Sequence, residues 1–244
     1  MSKLERLSKI MALRGLCSRR EADIFIEKGL VKVNGCTVSI LGSKVPTDCE
    51  IKLSDEAIFI QNSLTTILLN KPIGYVSGQP EDNHKPAISL VKNSNRWNRC
   101  SVKKVMKLKN VHKLAPAGRL DIDSTGLLVF TQDGRIARSL IGENSSIEKE
   151  YLVRINGTID EDKLRLLNYG LSIDGIKLKQ ASVTWLNKNQ LKFILKEGKK
   201  RQIRKMCEMV GVRVIGLKRV RIGKVKLESL PIGKWRYLLN KEIF

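Results

Sequence analysis

The stretch GRLDIDSTGLLVFTQDG, residues 118–134, joins a short polar loop to an apolar strand. Its second half, Leu127–Thr131, is a continuous and mostly apolar run, typical of a strand that crosses a hydrophobic core. Its first half carries the carboxylates Asp121 and Asp123, with a glycine at each end of the loop. Glycine allows the backbone to turn sharply and a ligand to approach closely. The segment therefore predicts a core strand with a binding or reactive loop at its start.

The two carboxylates of this loop admit several interpretations. An acid two residues after a cation, as in Arg119 and Asp121, is commonly a surface ion pair. An Asp-x-Asp pattern is also compatible with Mg²⁺ and a phosphodiesterase, although no further acidic cluster or phosphate loop accompanies it. A hydrolase that uses two carboxylates is a third alternative. None of these explains why glycines frame the loop.

The composition is that of a folded, very basic protein. The chain has 244 residues, 46 Lys and Arg against 24 Asp and Glu, a net charge of +22, and 42% hydrophobic residues. Such a chain folds rather than staying disordered. No apolar run approaches the roughly 18 residues of a membrane-spanning helix, and the N-terminal segment lacks the apolar core of a secretory signal. We therefore expect a cytoplasmic protein that does not enter a membrane.

The cysteines do not form a metal-binding pattern. They are widely separated, without a Cys-x-x-Cys pair: Cys17, Cys36, Cys49, Cys100 and Cys207. Only two histidines accompany them, so a zinc site is not expected. An odd, sparse set of cysteines is typical of reduced cytosolic thiols.

The positive charge is concentrated in the second part of the chain. Residues 1–63 carry a net charge of +2, and residues 64–244 carry +20. Lys196–Lys226 alone contains twelve basic residues against two acidic ones. A polyanion-binding face needs such a concentration, because each neutralised phosphate releases condensed counterions. A solubilising surface is the alternative. We favour nucleic acid because the basic residues alternate with apolar ones on what should be ordered elements.

The front of the chain predicts a small helical module. Residues 4–30 have apolar positions at helical spacing, interrupted at Gly15, and predict two short helices. Ser18 is a candidate N-cap of the second helix, and Glu21 completes a capping box. Leu30–Gly35 alternates and ends in Asn-Gly, which predicts a strand and a tight turn.

This module resembles the S4 RNA-binding domain over about residues 3–60. The resemblance rests on Gly15, Cys17–Ala22, Ile26, Gly29, Val31, Val33–Gly35 and Val38. Arg19 and Arg20 open a helix, where guanidinium groups and free backbone N–H groups can grip a phosphate. Alternatively, the two arginines pair with nearby acids on a solvated surface. The resemblance implies binding to structured RNA, and we place the domain at residues 1–62.

Beyond this module the sequence predicts a larger unit, residues 63–244. Val38–Ile51 and Ala57–Ile60 predict further strands of the front module, and the polar residues 61–66 predict a short linker. Ile67–Val76 then predicts a strand, a Pro/Gly turn and a second strand. Residues 77–115 predict an irregular surface segment over RNA, with a helix at 87–91. The lysines of this segment are Lys103, Lys104, Lys107, Lys109 and Lys113.

With these elements in place, the chain strongly resembles the pseudouridine synthase family of the small-subunit type, and is similar to members that carry an S4 domain and modify ribosomal RNA. The family's motifs occur in order at Leu69–Ser77 (LNKPxGxVS), Gly118–Gly134 (GRLDxxxxGLLxxTxDG), Lys149–Val153 (KxYxV), Glu197–Met206, Leu217–Arg219 and Leu230–Arg236. Together with the S4 module, the resemblance covers nearly the whole chain. It implies an α+β enzyme domain with a long, mainly antiparallel bent sheet flanked by helices.

The resemblance also implies roles for individual residues. Asp121 is expected to be the catalytic aspartate, Tyr151 to stack on the target base, and Arg204, or else Arg201, to pair with Asp121. A carboxylate serves as a nucleophile or base only while ionised, which a neighbouring guanidinium favours. A tyrosine ring offers a flat face for a flipped base.

The predicted RNA contacts form two groups. In the second domain Arg119, Leu120 and Arg201 are expected to bind the substrate. In the front module Arg19 and Arg20 are expected to do so.

The implied chemistry is isomerisation of uridine to pseudouridine, which needs no cofactor and no metal. The motif residues, among them Arg201–Glu208, are most similar to those of members that act on a 23S rRNA hairpin near the peptidyl-transferase region. The same chemistry on 16S rRNA or tRNA is an alternative, and so is a non-catalytic RNA-binding or ribosome-assembly protein. Asp121 either attacks covalently or acts through a glycal, and the residues do not separate these routes. The composition suits a monomer.

Overall fold

A computed structural model describes the chain over residues 3–78, 83–97, 111, 113–142 and 145–244. Four lysines of the predicted surface segment lie outside the described residues: Lys103, Lys104, Lys107 and Lys109. Within the described ranges, a small front unit is followed by a larger unit built on one sheet. No helix in these ranges has the length and apolar composition needed to cross a bilayer.

The front unit combines three helices with short strands. Its elements are β1 (Leu4–Arg6), α1 (Leu7–Leu13), α2 (Arg19–Glu27), β2 (Val31–Val33), β3 (Cys36–Thr37), β4 (Lys44–Pro46), β5 (Ile51–Leu53) and α3 (Asp55–Ser63). β1 pairs with β4, and β2 lies between β3 and β5. Side chains of α1, α2 and β2, among them Met11, Phe25 and Val31, form the core of the unit.

The start of α2 follows the sequence prediction closely. The Ser18 hydroxyl accepts from the Glu21 N–H at 3.2 Å. The Glu21 carboxylate accepts from the Ser18 N–H at 2.6 Å. The predicted capping box is confirmed, and it fixes the first turn from which Arg19 and Arg20 project.

The predicted strand at Ala57–Ile60 is wrong, because these residues belong to α3. The Ser54 hydroxyl accepts from the Ala57 N–H at 3.2 Å and caps the helix. Asp55 and Glu56 lie in the first turn, where negative charge favours the helix dipole. The helix continues to Ser63 and the next strand begins at Thr66, so the link between these two elements is shorter than the predicted 61–66.

The second unit is built on a large sheet. Its elements are β6 (Thr66–Lys71), β7 (Tyr75–Val76), β8 (Lys85–Pro86), 3₁₀ turns at Ala87–Leu90 and Asn93–Asn95, β9 (Ala115–Pro116), β10 (Thr125–Thr131), α4 (Gly134–Ile141), β11 (Lys149–Asn156), α5 (Glu161–Asn168), β12 (Ser172–Ile173), β13 (Ile176–Lys177), β14 (Ser182–Asn187), β15 (Gln190–Leu195), α6 (Gln202–Met209), β16 (Arg213–Ile222), β17 (Val225–Lys226) and β18 (Trp235–Tyr237). The predicted strand, turn and strand at Ile67–Val76 are confirmed.

The central sheet has the strand order β14-β15-β11-β16-β10-β6-β18, with β9 and β17 paired at its sides. Neighbouring strands run antiparallel except β10 and β16, which run parallel. Helix α4 packs against β10, α5 against β14 and α6 against β16. The predicted α+β class with a mainly antiparallel sheet is confirmed.

Strand β10 is apolar throughout because both of its faces are covered. Leu128 and Phe130 belong to the larger core cluster on one face. Leu127 and Val129 belong to the cluster on the other face, which includes Leu140 of α4. Since the strand is held from both sides, the loop that precedes it has a firm base.

The two units touch where α2 meets α4. A Cβ atom at Gly134 would lie 2.2 Å from the Cβ of Ser18, so the absence of a side chain permits the contact. The Arg138 guanidinium of α4 donates to the Ala12 carbonyl of α1. The front unit therefore packs against α4.

Candidate active site

The carboxylate loop opens into a cavity of about 990 Å³. Arg119, Leu120 and Asp121 line it from the loop, Tyr151 lines it from β11, and Arg204 from α6. The glycine at the end of the loop, Gly126, is required for steric reasons. Gly126 has φ +104°, and a Cβ there would lie 2.2 Å from the Arg219 carbonyl oxygen. A side chain at this position would push β16 away from β10.

Asp121 presents its carboxylate to the cavity without a partner. Its backbone carbonyl accepts from the Ser124 N–H at 3.1 Å, which closes a turn. Its carboxylate makes no hydrogen bond or ion pair with any residue that the structure describes. The group is therefore available to a ligand.

The structure places Arg204 and Arg201 beside Asp123, and not beside Asp121 as predicted. Arg204 Nη2 lies 3.1 Å from Asp123 Oδ2, and Arg201 Nη1 lies 3.3 Å from the same oxygen. Arg204 Nη2 also donates to the Asp123 backbone carbonyl at 3.1 Å. Two acceptors on one residue hold Arg204 in place, and the turn at 121–124 leaves Asp121 facing the cavity. Asp123 therefore has the role of anchoring these cations.

Tyr151 is almost buried, at 8% exposure, and lines the same cavity. In the sheet it is paired with Arg219 of β16 on one side and Phe193 of β15 on the other. The Arg219 guanidinium carbon lies 6.0 Å from the centre of the tyrosine ring. The ring thus stands beside a cation, with its environment fixed by three strands.

Arg219 is a site residue that the sequence analysis did not single out, although it stands in the Leu217–Arg219 motif. It is 3% exposed. Its Nε donates to the Leu127 carbonyl at 2.7 Å, and its Nη1 donates to the Arg119 carbonyl at 3.2 Å. It therefore holds both the carboxylate loop and the strand that follows.

Lys71 supports the loop from the other side. This residue is fully buried, and its ammonium donates to the carbonyls of Pro72 at 2.9 Å and Tyr75 at 2.8 Å. Within that turn the Gly74 N–H donates to the Ile122 carbonyl at 2.9 Å. Burial lowers the pKa of Lys71 from 10.5 to about 8, against the opposing attraction of the nearby loop carboxylates.

Other predicted site residues fall into two groups. Arg119, Leu120 and Arg201 lie in the cavity wall. Arg19 and Arg20 are exposed on α2 of the front unit, outside the cavity. They pair with no acid in the described part of the chain, so the alternative of a surface ion pair is not what the structure has.

No metal site is found within the described ranges, where no three Cys, His, Asp or Glu side chains form a cluster. Cys17 and Cys207 are buried, and burial raises the pKa of each thiol to about 12. A thiol in that state is a poor nucleophile and a poor ligand.

Comparison with known proteins identifies the family of this chain. The family model for RNA pseudouridylate synthase matches residues 65–209, and the S4 domain model matches residues 5–51. The dual-specificity RNA pseudouridine synthases RluF of Salmonella typhi and Escherichia coli K12 are each 34% identical over 240 residues, which cover 98% of this chain and 77% of theirs.

Two further matches span nearly the whole chain. The ribosomal large subunit pseudouridine synthase B of Bacillus subtilis is 32% identical over 98% of this chain and 94% of its own. A crystal structure of a pseudouridylate synthase superposes with a TM-score of 0.65, at 27% identity and 96% coverage of both chains. The chain therefore belongs to the RNA pseudouridine synthase family, as a member with an S4 domain that resembles RluF and converts uridine to pseudouridine in RNA.

Proposed function

We propose that this protein isomerises one uridine in a 23S rRNA hairpin near the peptidyl-transferase region, as a monomer in the cytoplasm, with Asp121 as the catalytic carboxylate. The observation that carries the proposal is the unpartnered Asp121 carboxylate in a cavity beside Tyr151. The relative from Bacillus subtilis is named for the large ribosomal subunit, which favours 23S over 16S rRNA as the substrate.

In this proposal Asp121 starts the reaction at the ribose. The N1–C1′ bond breaks, the uracil turns within the cavity, a C5–C1′ bond forms, and the proton on C5 moves to solvent while N1 gains one. Asp121 either attacks C1′ or removes the 2′ proton to give a glycal, and both routes end in an isomer of the substrate. The reaction neither oxidises nor reduces the substrate, so acid, base and nucleophilic side chains of this chain suffice for it.

Tyr151 holds the target base after it has left the RNA stack. A base stacked inside an RNA helix cannot reach a carboxylate in a cavity of the protein, so the nucleotide must be flipped out. The ring of Tyr151 offers an apolar face in the cavity wall, and strand pairing on both sides fixes the backbone that carries it. Arg119 and Leu120, next to Asp121, lie where the flipped nucleotide enters.

The remaining RNA is held by charge. The region Lys196–Lys226 carries twelve basic residues, and part of it lines the cavity at Lys199, Lys200 and Arg201. Arg19 and Arg20 add exposed cations on the first turn of α2, where backbone N–H groups also favour an anion. These contacts position the RNA without reading its sequence.

The experiment that tests the proposal maps pseudouridine by carbodiimide modification and primer extension in cells that lack the protein. We expect one stop in 23S rRNA to disappear, to return with the wild-type gene, and to stay absent with Asp121→Asn. Asp48→Asn, at an exposed aspartate of the front unit, is the matched control and should restore the stop. A missing stop in 16S rRNA or tRNA would replace the 23S substrate, and restoration by Asp121→Asn would overturn the catalytic role.

A further inference from the structure

Arg219 is a buried cation without a buried anion. Its residue is 3% exposed, and no carboxylate pairs with it within the described part of the chain. Burying an ion without an opposite charge is costly, and such groups persist where the charge has a use. Two of its nitrogens bond to backbone carbonyls, of Leu127 and of Arg119.

Its third nitrogen, Nη2, is the informative atom. It is buried, and it has no hydrogen-bond partner among the described residues. Because the guanidinium is planar, the two bonds from Nε and Nη1 fix the direction of Nη2. Arg219 lines the cavity, and its guanidinium carbon lies 6.0 Å from the Tyr151 ring centre. A guanidinium with one unfilled donor thus lies beside the ring that, in the proposed function, holds the base.

Three other residues of the same cavity wall also carry an unfilled donor. Ser124 Oγ, Lys199 Nζ and Arg204 Nε are buried and have no partner in the described ranges. A cavity with several free donors fits a ligand that is rich in acceptors and negative charge. Arg219 differs from the others because it is paired with Tyr151 across the sheet.

The chemistry of the proposed function supplies such a charge. When the N1–C1′ bond breaks, its electron pair leaves with the uracil, whose negative charge then spreads over N1, O2 and O4. The free base must keep this charge while it turns and until C5 attacks C1′. Fixed donors aimed at developing charge in a site with little water are the largest single contribution in many enzymes.

We propose that Arg219 is a further catalytic residue, whose Nη2 donates to a carbonyl oxygen of the detached uracil anion and stabilises it during the turn. This inference rests on the proposed function. The bond to the Arg119 carbonyl places the same guanidinium on the Asp121 loop, so the group that leaves and the group that attacks are held by one side chain.

The test compares two transcripts of the mapped 23S hairpin, one with uridine and one with 5-fluorouridine at the target. Fluorine at C5 stabilises the uracil anion, so this base depends less on protein donors. Arg219→Gln removes the charge, Arg219→Lys keeps it without the planar fork, and Arg165→Gln, at an exposed arginine of α5, is the control. Loss of the starting nucleoside is measured by nuclease digestion and mass spectrometry.

We expect Arg219→Gln to lower kcat on uridine by about 10²-fold, the usual cost of one such donor, with KM within about threefold. On 5-fluorouridine the loss should shrink below about tenfold, and Arg219→Lys should lie between Gln and wild type on both RNAs. Each preparation is tested on both transcripts, so the ratio of the two rates does not depend on the fraction of folded protein.

Equal losses on the two transcripts, or a loss in KM alone, would show that Arg219 has only a structural role. A wild-type protein that reacts with neither transcript would instead overturn the proposed function. The two failures are therefore distinguishable.

Discussion

The arginines of the front unit and those of the cavity have the same side chain but differ in exposure and in hydrogen bonding. Arg19 and Arg20 are exposed and unpaired within the described part of the chain. The Arg204 side chain is 14% exposed and Arg219 is 3% exposed, and both donate to backbone carbonyls. An exposed guanidinium exchanges freely with water and ions, so it contributes affinity that salt weakens. A buried one fixes the loop geometry and, in our proposal, contributes to the rate.

The strongest test of this difference is Asp121→Asn, which removes the negative charge of the Asp121 carboxylate but keeps the shape of the side chain. We expect turnover to fall by at least about 10³-fold, since the amide is neither nucleophile nor base, while RNA affinity changes less than about twofold. Tritium release from labelled uridine measures the rate, and filter binding measures the affinity. Turnover within tenfold of wild type would mean that another group does the chemistry.

Lys71→Met tests the cost of a buried cation, which the pH dependence of the free energy of unfolding reports. Between pH 8 and 10.5 the folded chain has released the Lys71 proton and the unfolded chain still holds it, because burial lowers the folded pKa to about 8. Stability of the wild type therefore rises with pH across this window, while the methionine variant lacks this titration. The free energy of unfolding of the wild type, minus that of Lys71→Met, should therefore increase by about 2 kcal/mol between pH 7 and pH 10.

Urea unfolding at several pH values measures this difference, with Lys32→Met, at an exposed lysine of β2, as the matched control for the loss of one lysine. A difference between wild type and Lys71→Met that stays flat from pH 7 to pH 10 would mean that the Lys71 ammonium bears no burial penalty in the folded protein.

Asp123→Asn tests whether Arg201 and Arg204 depend on their ion pairs with the Asp123 carboxylate. The amide can still accept a hydrogen bond from Arg201 or Arg204, but it loses the ionic attraction seen at 3.3 and 3.1 Å. We expect about a tenfold lower rate, far less than for Asp121→Asn, since Arg204 also bonds to the Asp123 backbone. Losses equal to those of Asp121→Asn would favour a mechanism with two catalytic carboxylates.

The smallest expected effect lies in the front unit. Arg19→Gln and Arg20→Gln should each lower RNA affinity a few-fold and reduce the slope of log affinity against log salt by about 0.7–0.9. The rate at saturating RNA should not change. Arg6→Gln, at an exposed arginine of β1, controls for the loss of one charge. A lower rate at saturation would show that the front unit helps to build the active site.

Much of the fold could be predicted from the sequence because its signals are local. The capping box at Ser18 and the apolar run of β10 depend on a few adjacent residues, and both were correct. The run at Ala57–Ile60 was ambiguous by length, since four apolar residues fit a buried strand or a helix. The helix signal was present in Ser54 and the acids after it, and it outweighs the apolar pattern.

The site was less predictable because its contacts are distant in sequence. A spacing of two residues does not tell which carboxylate Arg204 reaches across 81 positions. The neighbourhood of Tyr151 and Arg219 depends on the register between β11 and β16, which shifts at an irregularity just before Tyr151. Motif membership marks both residues, but three-dimensional pairing is needed to place them together.

The close contact at Gly134 has a consequence for substrate choice. Strand β10 runs from the Asp121 loop at one end almost to Gly134 at the other, a span of seven residues or about 20 Å. Just beyond that end, Ser18 packs directly on Gly134, and Arg19 and Arg20 follow Ser18 in the chain. Strand β10 therefore sets the distance between the proposed phosphate contacts of Arg19 and Arg20 and the proposed catalytic carboxylate of Asp121. Under the proposed function, an RNA is selected by whether its folded shape offers a phosphate and a flippable uridine at about that separation.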